Sequence, residues 1–354
     1  MPFLFSPEVR LEKSAFFAAM NTPTGFLSSF SELFSHYRCY VIKGGPGTGK
    51  STLMRKIAKE AERRGLDVTY YYCSSDTASL DAITIDALKL ALLDGTSPHA
   101  TEPILVGVKD HYLDLAQFLS PALIHAPDQI AALSEKKQEC YRRAYTLLSA
   151  CHTADVALDD LRSACFETEK CQKTLERLLE RLHLTEESDP KVQKTQLSAL
   201  GSDGYVALDS YADKTRIVIR ISDRYGVAPA VFSHLTDLLK KHAVSYTYSL
   251  SPLTLSPDTV YLPQKGVVFS SLPLSGDPSL VINCERFLKK RGQGLYKNEK
   301  SLLYAEKILF TEAISAFRSA AEAHREMERH YIHAMNFTAL NTYTDSLIRD
   351  VFKK

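Results

Sequence analysis

The chain has almost no net charge, no CxxC pair and no long apolar run, and each absence removes a class of function. Lys and Arg number 43 against 42 Asp and Glu, so the formal charge of +1 gives no long-range field toward nucleic acid, and a nucleic-acid partner is not supported. No stretch approaches the ~18 uninterrupted apolar residues of a membrane span. The opening MPFLFSPEVRLEKSAFF breaks its apolar residues with Glu8, Arg10, Glu12 and Lys13, which argues against a secretory signal. Seven cysteines (Cys39, Cys73, Cys140, Cys151, Cys165, Cys171, Cys284) are an odd set without metal-type spacing. They read as reduced, mostly buried thiols, and the expected location is cytoplasmic. What remains is a chain of 354 residues, 45% hydrophobic and 24% charged, long enough for two ordinary domains.

Residues 39–43, CYVIK, form a short apolar run of the kind buried as a parallel strand, and they lead directly into GGPGTGKST. After it Leu53, Met54, Ile57, Ala58 and Ala61 recur at helical spacing until Gly65 stops the helix. Strand, glycine loop and helix form the context that the G-x-x-x-x-G-K-[ST] pattern requires. Gly44, Gly45, Pro46, Gly47, Thr48 and Gly49 would turn backbone N–H groups around phosphate oxygens, with the helix N-terminus adding partial positive charge. Lys50 would reach the β and γ phosphates, Ser51 would place its hydroxyl on Mg²⁺, and Thr52 completes the nucleotide-binding set. No N-K-x-D guanine motif occurs, so ATP is the expected nucleotide.

The metal also needs a carboxylate at the end of a neighbouring strand. KLALLDG (89–95) runs four apolar residues into Asp94, the preferred candidate for both the metal and the catalytic role beside Lys50. The alternative, Asp76, lies two serines beyond the run VTYYYC and reads better as a turn or cap residue. Gly95 follows Asp94 where one ATPase class carries Glu, so the group that orients the attacking water is not identified.

Five segments recur at offsets of 176 to 179 residues: TGFLSSF with DGYVALD, CYVI with VIRI, VTYYYCSS with VSYTYSLS, LDAITID with PDTVYLP, and KLALLDG with KGVVFSS. The second copy has no Lys in RISDRYGVAPAVFSHL (220–235), keeps only Gly226 of the loop glycines, and has Ser270 in the place of Asp94. It is read as a P-loop-like unit without nucleotide. The stretch from NTPTGF through the phosphate loop to YYYCSSDTASLDAITIDALKLALLDGTSPH resembles an uncharacterised family of bacterial tandem-repeat P-loop ATPases of about this length. The resemblance implies a P-loop fold and ATP as ligand; the degenerate second loop departs from it.

Residues 128–189 contain no Gly or Pro, and Ala144, Leu147, Cys151, Ala154, Leu158, Leu161 and Cys165 keep 3-4 spacing, continued by Thr168, Gln172, Leu175, Leu179 and Leu182. Residues 298–352 repeat the device, with Phe310, Ala313, Phe317, Ala320, His324, Met327, Tyr331 and Ala334 in register. The simpler reading packs these two extensions on each other within one chain, and the alternative is a stalk for a homo-oligomer or protein effector. His330 and His333 near Glu326 read as a solvated face rather than a metal site. The basic run RFLKKRGQGLYKNEK (286–300) reads as a solvated loop, and LSGD (274–277) lacks the context of an ABC-type signature.

The expected fold is α/β: a mainly parallel P-loop NTPase sheet, duplicated, with long coiled-coil-like helical extensions. Its parts are a nucleotide-binding repeat at 15–126, a helical extension at 127–190, a degenerate repeat at 195–285 and a C-terminal extension at 286–354. The expected function is a Mg-dependent ATPase in which hydrolysis drives a change between repeats and extensions. A small-molecule or nucleotide kinase is the alternative, lowered by the lack of any arginine in 96–126. A slow ATP-sensing module is the third reading.

Overall fold

The computed structural model describes residues 14–98, 100–121, 124–125, 127–211, 214–274, 277–289 and 299–353. Most of the basic run 286–300 and the centre of LSGD lie outside the described residues. The chain starts with β1 (Ala15–Phe17) and a hairpin of β2 (Ala19–Thr22) and β3 (Gly25–Ser28), then α1 (Phe30–Phe34), β4 (Arg38–Lys43) and α2 (Lys50–Arg63). Strands β5 (Thr69–Tyr72), β6 (Leu80–Ile85), β7 (Leu90–Asp94) and β8 (His111–Asp114) precede α3 (Pro127–Cys165) and α4 (Thr168–Arg181). The second half runs β9 (Val192–Thr195), a hairpin of β10 (Ser198–Gly201) and β11 (Gly204–Ala207), β12 (Ile217–Ser222), α5 (Ala228–Lys241), and β13 (Tyr246–Leu250). It closes with β14 (Pro257–Leu262), β15 (Val267–Ser270), β16 (Leu280–Asn283), α6 (Lys300–Ala334) and α7 (Phe337–Val351).

The fold is α/β, with two mixed, mostly parallel six-stranded sheets. The first has the order β1-β5-β6-β7-β4-β8 and the second, from its other edge, β9-β13-β14-β15-β12-β16. In each, only the third strand, β6 or β14, runs against its neighbours. The five segment pairs matched in the sequence occupy corresponding strands. Register corrects one of them. Ala82 pairs with Leu93 and Thr259 with Ser270, and the left-handed residues Lys89 (φ 47) and Gly266 (φ 60) precede β7 and β15 alike. Ser270 therefore corresponds to Leu93, and Ser271 stands where Asp94 stands.

β4 sits inside its sheet between β7 and β8, so Val41 and Ile42 are covered on both faces, as parallel strands require. Leu53, Met54, Ile57, Ala58 and Ala61 bury one face of α2, and the helix stops at Gly65, whose φ of 75 suits the left-handed C-terminal turn. α4, crossing from the first half, and α5 supply Cys171, Leu175, Leu179, Val231, Phe232 and Leu235 to one core with β12–β15. The hairpins face each other: β2 lies against β10, and the Asn21 side chain donates to the carbonyl of Leu200, its own counterpart in the second half, at 2.7 Å.

The long helices α3 and α6 pack along each other, with Tyr141 and Tyr145 edge-on to Phe317. Each half also sends its terminal helix pair across to the other half, with α4 against α5 and α7 against α2. The exchange shows in the backbone: Leu119 bridges Met335 and Phe166 bridges Leu288, while Asn336 N–H donates to Phe118 O and Glu167 N–H to Phe287 O. Each contact is repeated 169 residues apart, which makes the two crossings equivalent.

The sequence reading of the seam needs a correction. The buried stripe of α3 is Ala144, Leu148, Cys151, Asp155, Leu158, Arg162 and Cys165. Asp155 and Arg162 take positions that hydrophobicity assigned to Ala154 and Leu161, because their opposite charges pair inside. The 3-4 pattern also breaks at Phe166 and Glu167; Thr168 and Gln172 are exposed and the chain forms a hairpin, α3 then α4.

Candidate functional site

The glycine loop joins the end of β4 to the first turn of α2, where Gly49 is the N-cap in the left-handed conformation, φ 92. Gly47 is left-handed as well, φ 71. The helix opens when Leu53 N–H bonds to Gly49 O at 2.9 Å, which leaves the first-turn amides aimed into the loop. Thr48 is buried and its hydroxyl donates to Gly45 O at 2.9 Å, tying the loop to itself. Lys50 Nζ donates to the carbonyls of Gly44 and Gly45 at 3.2 and 3.0 Å and stands 3.6 Å from Asp94 Oδ2. The Lys50 ammonium and Asp94 carboxylate, both largely buried, thus meet at the mouth of the loop. Ser51 Oγ accepts from Leu80 N–H at 3.1 Å, and Thr52 is exposed.

Asp94 ends β7 and pairs in register with Ile42 of β4. Its Oδ1 accepts from the N–H and hydroxyl of Thr96 at 2.9 and 2.6 Å, which leaves Oδ2 toward Lys50. A Cβ at Gly95 would lie 2.4 Å from Val41 Cγ1. Packing therefore closes to Glu the position after Asp94. Asp76 is in a turn, accepting from Ala78 N–H at 3.1 Å and from the Ser79 hydroxyl at 3.0 Å.

Sequence reasoning missed what covers the loop. A Cβ at Gly45 would lie 2.7 Å from the Tyr331 ring; one at Gly47 would lie 2.8 Å from Ile332 Cγ1 and 3.0 Å from the Glu328 carbonyl oxygen; one at Gly49 would lie 3.0 Å from Leu340 Cδ2. The loop is in van der Waals contact with α6 and α7 of the other half. Burial raises the pKa of the Glu328 carboxyl, and the Asp76 carboxylate raises it further, while the Gly47 N–H and the Lys50 charge pull it down. His324 stands 3.7 Å from Glu328 and is pushed down to about 4 by desolvation, with the Lys137 and Lys50 charges adding to the effect. It is neutral at pH 7.

The corresponding loop of the second half is closed by different chemistry. The Asp223 carboxylate accepts from the N–H groups of Tyr225, Gly226 and Ala228 at 3.0, 3.0 and 2.6 Å, so a fixed carboxylate sits on the amides that open α5. Above it lies Arg162 of α3. A Cβ at Gly226 would meet its guanidinium at 2.6 Å, and Arg162 Nε donates to Tyr225 O at 3.0 Å. The guanidinium pairs with Asp155 at 2.7 Å and Asp159 at 2.8 Å. Asp223 lies 179 residues after Gly44, the strand offset already visible in the sequence.

No group of three His, Cys, Asp or Glu side chains that could hold a metal occurs among the described residues, and the same residues include no helix long and apolar enough to cross a membrane. All seven cysteines are free thiols. Residues 27–104 match a family model described as Nephrocystin 3, N-terminal. That segment contains the glycine loop, Asp76 and Asp94. No curated protein and no solved structure matches the chain.

Proposed function

We propose that the protein is a Mg-dependent ATPase, a tandem duplication in which only the first P-loop unit binds ATP and hydrolysis drives a change between the two halves and their exchanged helices. The observation that carries this reading is the meeting of Lys50 with Asp94 at the mouth of a glycine loop that caps a helix N-terminus. A lysine, a strand-end carboxylate and first-turn amides form the donor set for a triphosphate and its metal. The left-handed φ of Gly47 and Gly49 supplies the cradle, so the residues fit the ligand. Mg²⁺ would be held by Ser51 and Asp94 and would neutralise charge on the β and γ oxygens. Lys50 would leave the Gly44 and Gly45 carbonyls for those oxygens, and the amides of the loop would orient them. The strand orders of the two sheets support duplication. The Asp223 carboxylate on the second loop's amides supports a single site per chain, since a triphosphate there would face that carboxylate with no lysine.

A slow ATP sensor is the second reading, favoured by Gly95, because the packing against Val41 excludes a water-activating Glu there. Titration calorimetry with Mg²⁺ and a non-hydrolysable ATP analogue is expected to give one site per chain, lost in Lys50→Ala. Unchanged affinity in that variant would sink the P-loop assignment. Product analysis with labelled ATP then separates the readings: steady release of phosphate for the ATPase, retention of ATP for the sensor, and a labelled small molecule for a kinase.

A further inference from the structure

The exchange of helices places α6 and α7 of the second half on the loop assigned to ATP. We propose that this helix pair is a lid over the nucleotide site, closed in this structure, in which Glu328 holds the loop position that a triphosphate takes when the lid lifts. The proposal rests on the ATP reading above.

Three observations carry it. First, Tyr331, Ile332 and Leu340 lie directly on Gly45, Gly47 and Gly49, three glycines of one phosphate loop. A loop that is both glycine-rich and covered by side chains at contact distance is shaped for two alternative occupants. Second, the covering helix brings an anion. The Glu328 backbone carbonyl lies over Gly47, 3.0 Å from where a Cβ there would stand, and the Glu328 carboxylate stands 3.7 Å from His324; the Gly47 N–H and the Lys50 charge favour that carboxylate and Asp76 opposes it. A triphosphate carries several charges to the same amides and outcompetes one carboxylate.

Third, the second half shows the same arrangement made permanent. Counted by the equivalent crossings, Glu328, Tyr331 and His324 stand where Asp159, Arg162 and Asp155 stand on α3. There Arg162 bonds the loop carbonyl of Tyr225 and pairs with two aspartates. At the first loop, Tyr331 and Ile332 make apolar contact and Glu328 meets His324 at 3.7 Å in place of an arginine. α7 buries Leu340, Leu347 and Val351 in the core that α2 lines, and at its rim Lys56 meets Asn341 at 2.7 Å and Arg64 lies over the Phe352 ring. Only the rim contacts are weak.

The test compares the affinity of Mg²⁺ with a non-hydrolysable ATP analogue for the full-length protein, Glu328→Gln, and the double variant Tyr331→Ser/Ile332→Ser, each with and without Lys50→Ala. Removing a competing occupant raises the binding-competent fraction, so each lid variant is expected to bind about tenfold or more tightly, with binding abolished by Lys50→Ala in every background. A second measurement needs no substitution: the analogue is expected to increase amide hydrogen exchange across residues 323–347 of the native chain. Lid variants within about twofold of the native affinity, with unchanged exchange, would overturn the lid while Lys50-dependent binding kept the ATP site. Weaker binding by Glu328→Gln would overturn it too, by making Glu328 part of the nucleotide site. Absence of binding in all the proteins would remove the ATP reading and the lid together.

Discussion

Arg162→Ala is expected to be among the most destabilising single substitutions where α3 crosses onto the second half. The guanidinium is 9% exposed and its partner Asp155 11%, whereas Asp159 is 59% exposed, so the Asp159 pair contributes little. The loss centres on Asp155. Glu306 of α6 is also buried, its pKa raised by burial and by the Asp155 charge and held down by Arg162, so removing the arginine leaves two carboxylates facing each other in the core. Breaking a buried pair from one side costs about 3–5 kcal/mol. That is a large share of the roughly 5–15 kcal/mol by which a protein of ordinary stability is folded. The assay is urea unfolding at neutral pH with linear extrapolation, read beside Asp155→Asn/Arg162→Met, which removes both charges and is expected to recover much of the loss. A loss below about 1 kcal/mol in Arg162→Ala, or a double variant no better than the single one, would refute the reasoning.

Asp94→Asn is expected to retain much of the ATP affinity and to lose Mg-dependent turnover, whereas Asp76→Asn is expected to keep that turnover, because Asp76 is bonded within its own turn; the reverse result in phosphate release would reassign the metal carboxylate. Burial pushes Asp258 up to about 6, above its ordinary value of 3.8, so the stability it contributes is complete below that lower value and lost as pH rises through about 6, about 3 kcal/mol in all. The neutral His324 acts in the opposite sense between about 4 and 6.5, its contribution being lost as pH falls, so the quantity to read is the difference in unfolding free energy between native protein and Asp258→Asn from pH 4 to 7, and parallel curves would contradict the assignment. Leu158→Asp places a charge at a fully buried position of α3 and is expected to lower stability sharply; loss of a dimer in sedimentation with stability intact would instead locate Leu158 in an intermolecular coil. Deleting residues 140–180 removes Cys171, Leu175 and Leu179 from the second core and is expected to give insoluble protein, whereas a soluble product would argue that the hairpin is a dispensable stalk.

Much of the strand layout was legible because parallel and central strands are apolar on both faces: CYVI, YYY and LALL could hardly lie anywhere else. The turn of the loop was legible because Gly47 and Gly49 answer to a left-handed backbone. The reversed direction of β6 was not, since a six-residue buried run carries no sign of its orientation. Nor was the seam of α3, where an ion pair inside defeats a reading that looks for apolar residues. Tyr331, Ile332 and Glu328 were invisible as site residues for a different reason. Their role comes from a crossing between halves, and nothing in the local pattern of α6 distinguishes the turn that meets the loop from the turns that meet α3. Asp223 did leave a signal, an acid 179 residues after Gly44, where a phosphate loop tolerates none.

The contact between Asn21 and Leu200, residues at the same position of each half, places an approximate two-fold axis between the hairpins. Around such an axis a surface on one half recurs on the other, so whatever seats α3 on the second loop also seats α6 on the first. Symmetry fixes the placement of the helices and leaves their chemistry free. At the second loop that chemistry is an arginine with two aspartates above a carboxylate already bonded to three amides, an arrangement in which every charge has a partner and an incoming anion would find none. At the first loop it is a tyrosine ring, an isoleucine and a glutamate opposed by Asp76, over a lysine held by backbone carbonyls. On the ATP reading proposed above, an incoming triphosphate would give that lysine a better partner and would relieve the glutamate of its like-charged neighbour. The asymmetry would then assign the parts: the second half as the fixed frame, the first loop as the site that exchanges anions, and the α3–α6 pair as the connection through which that exchange is felt.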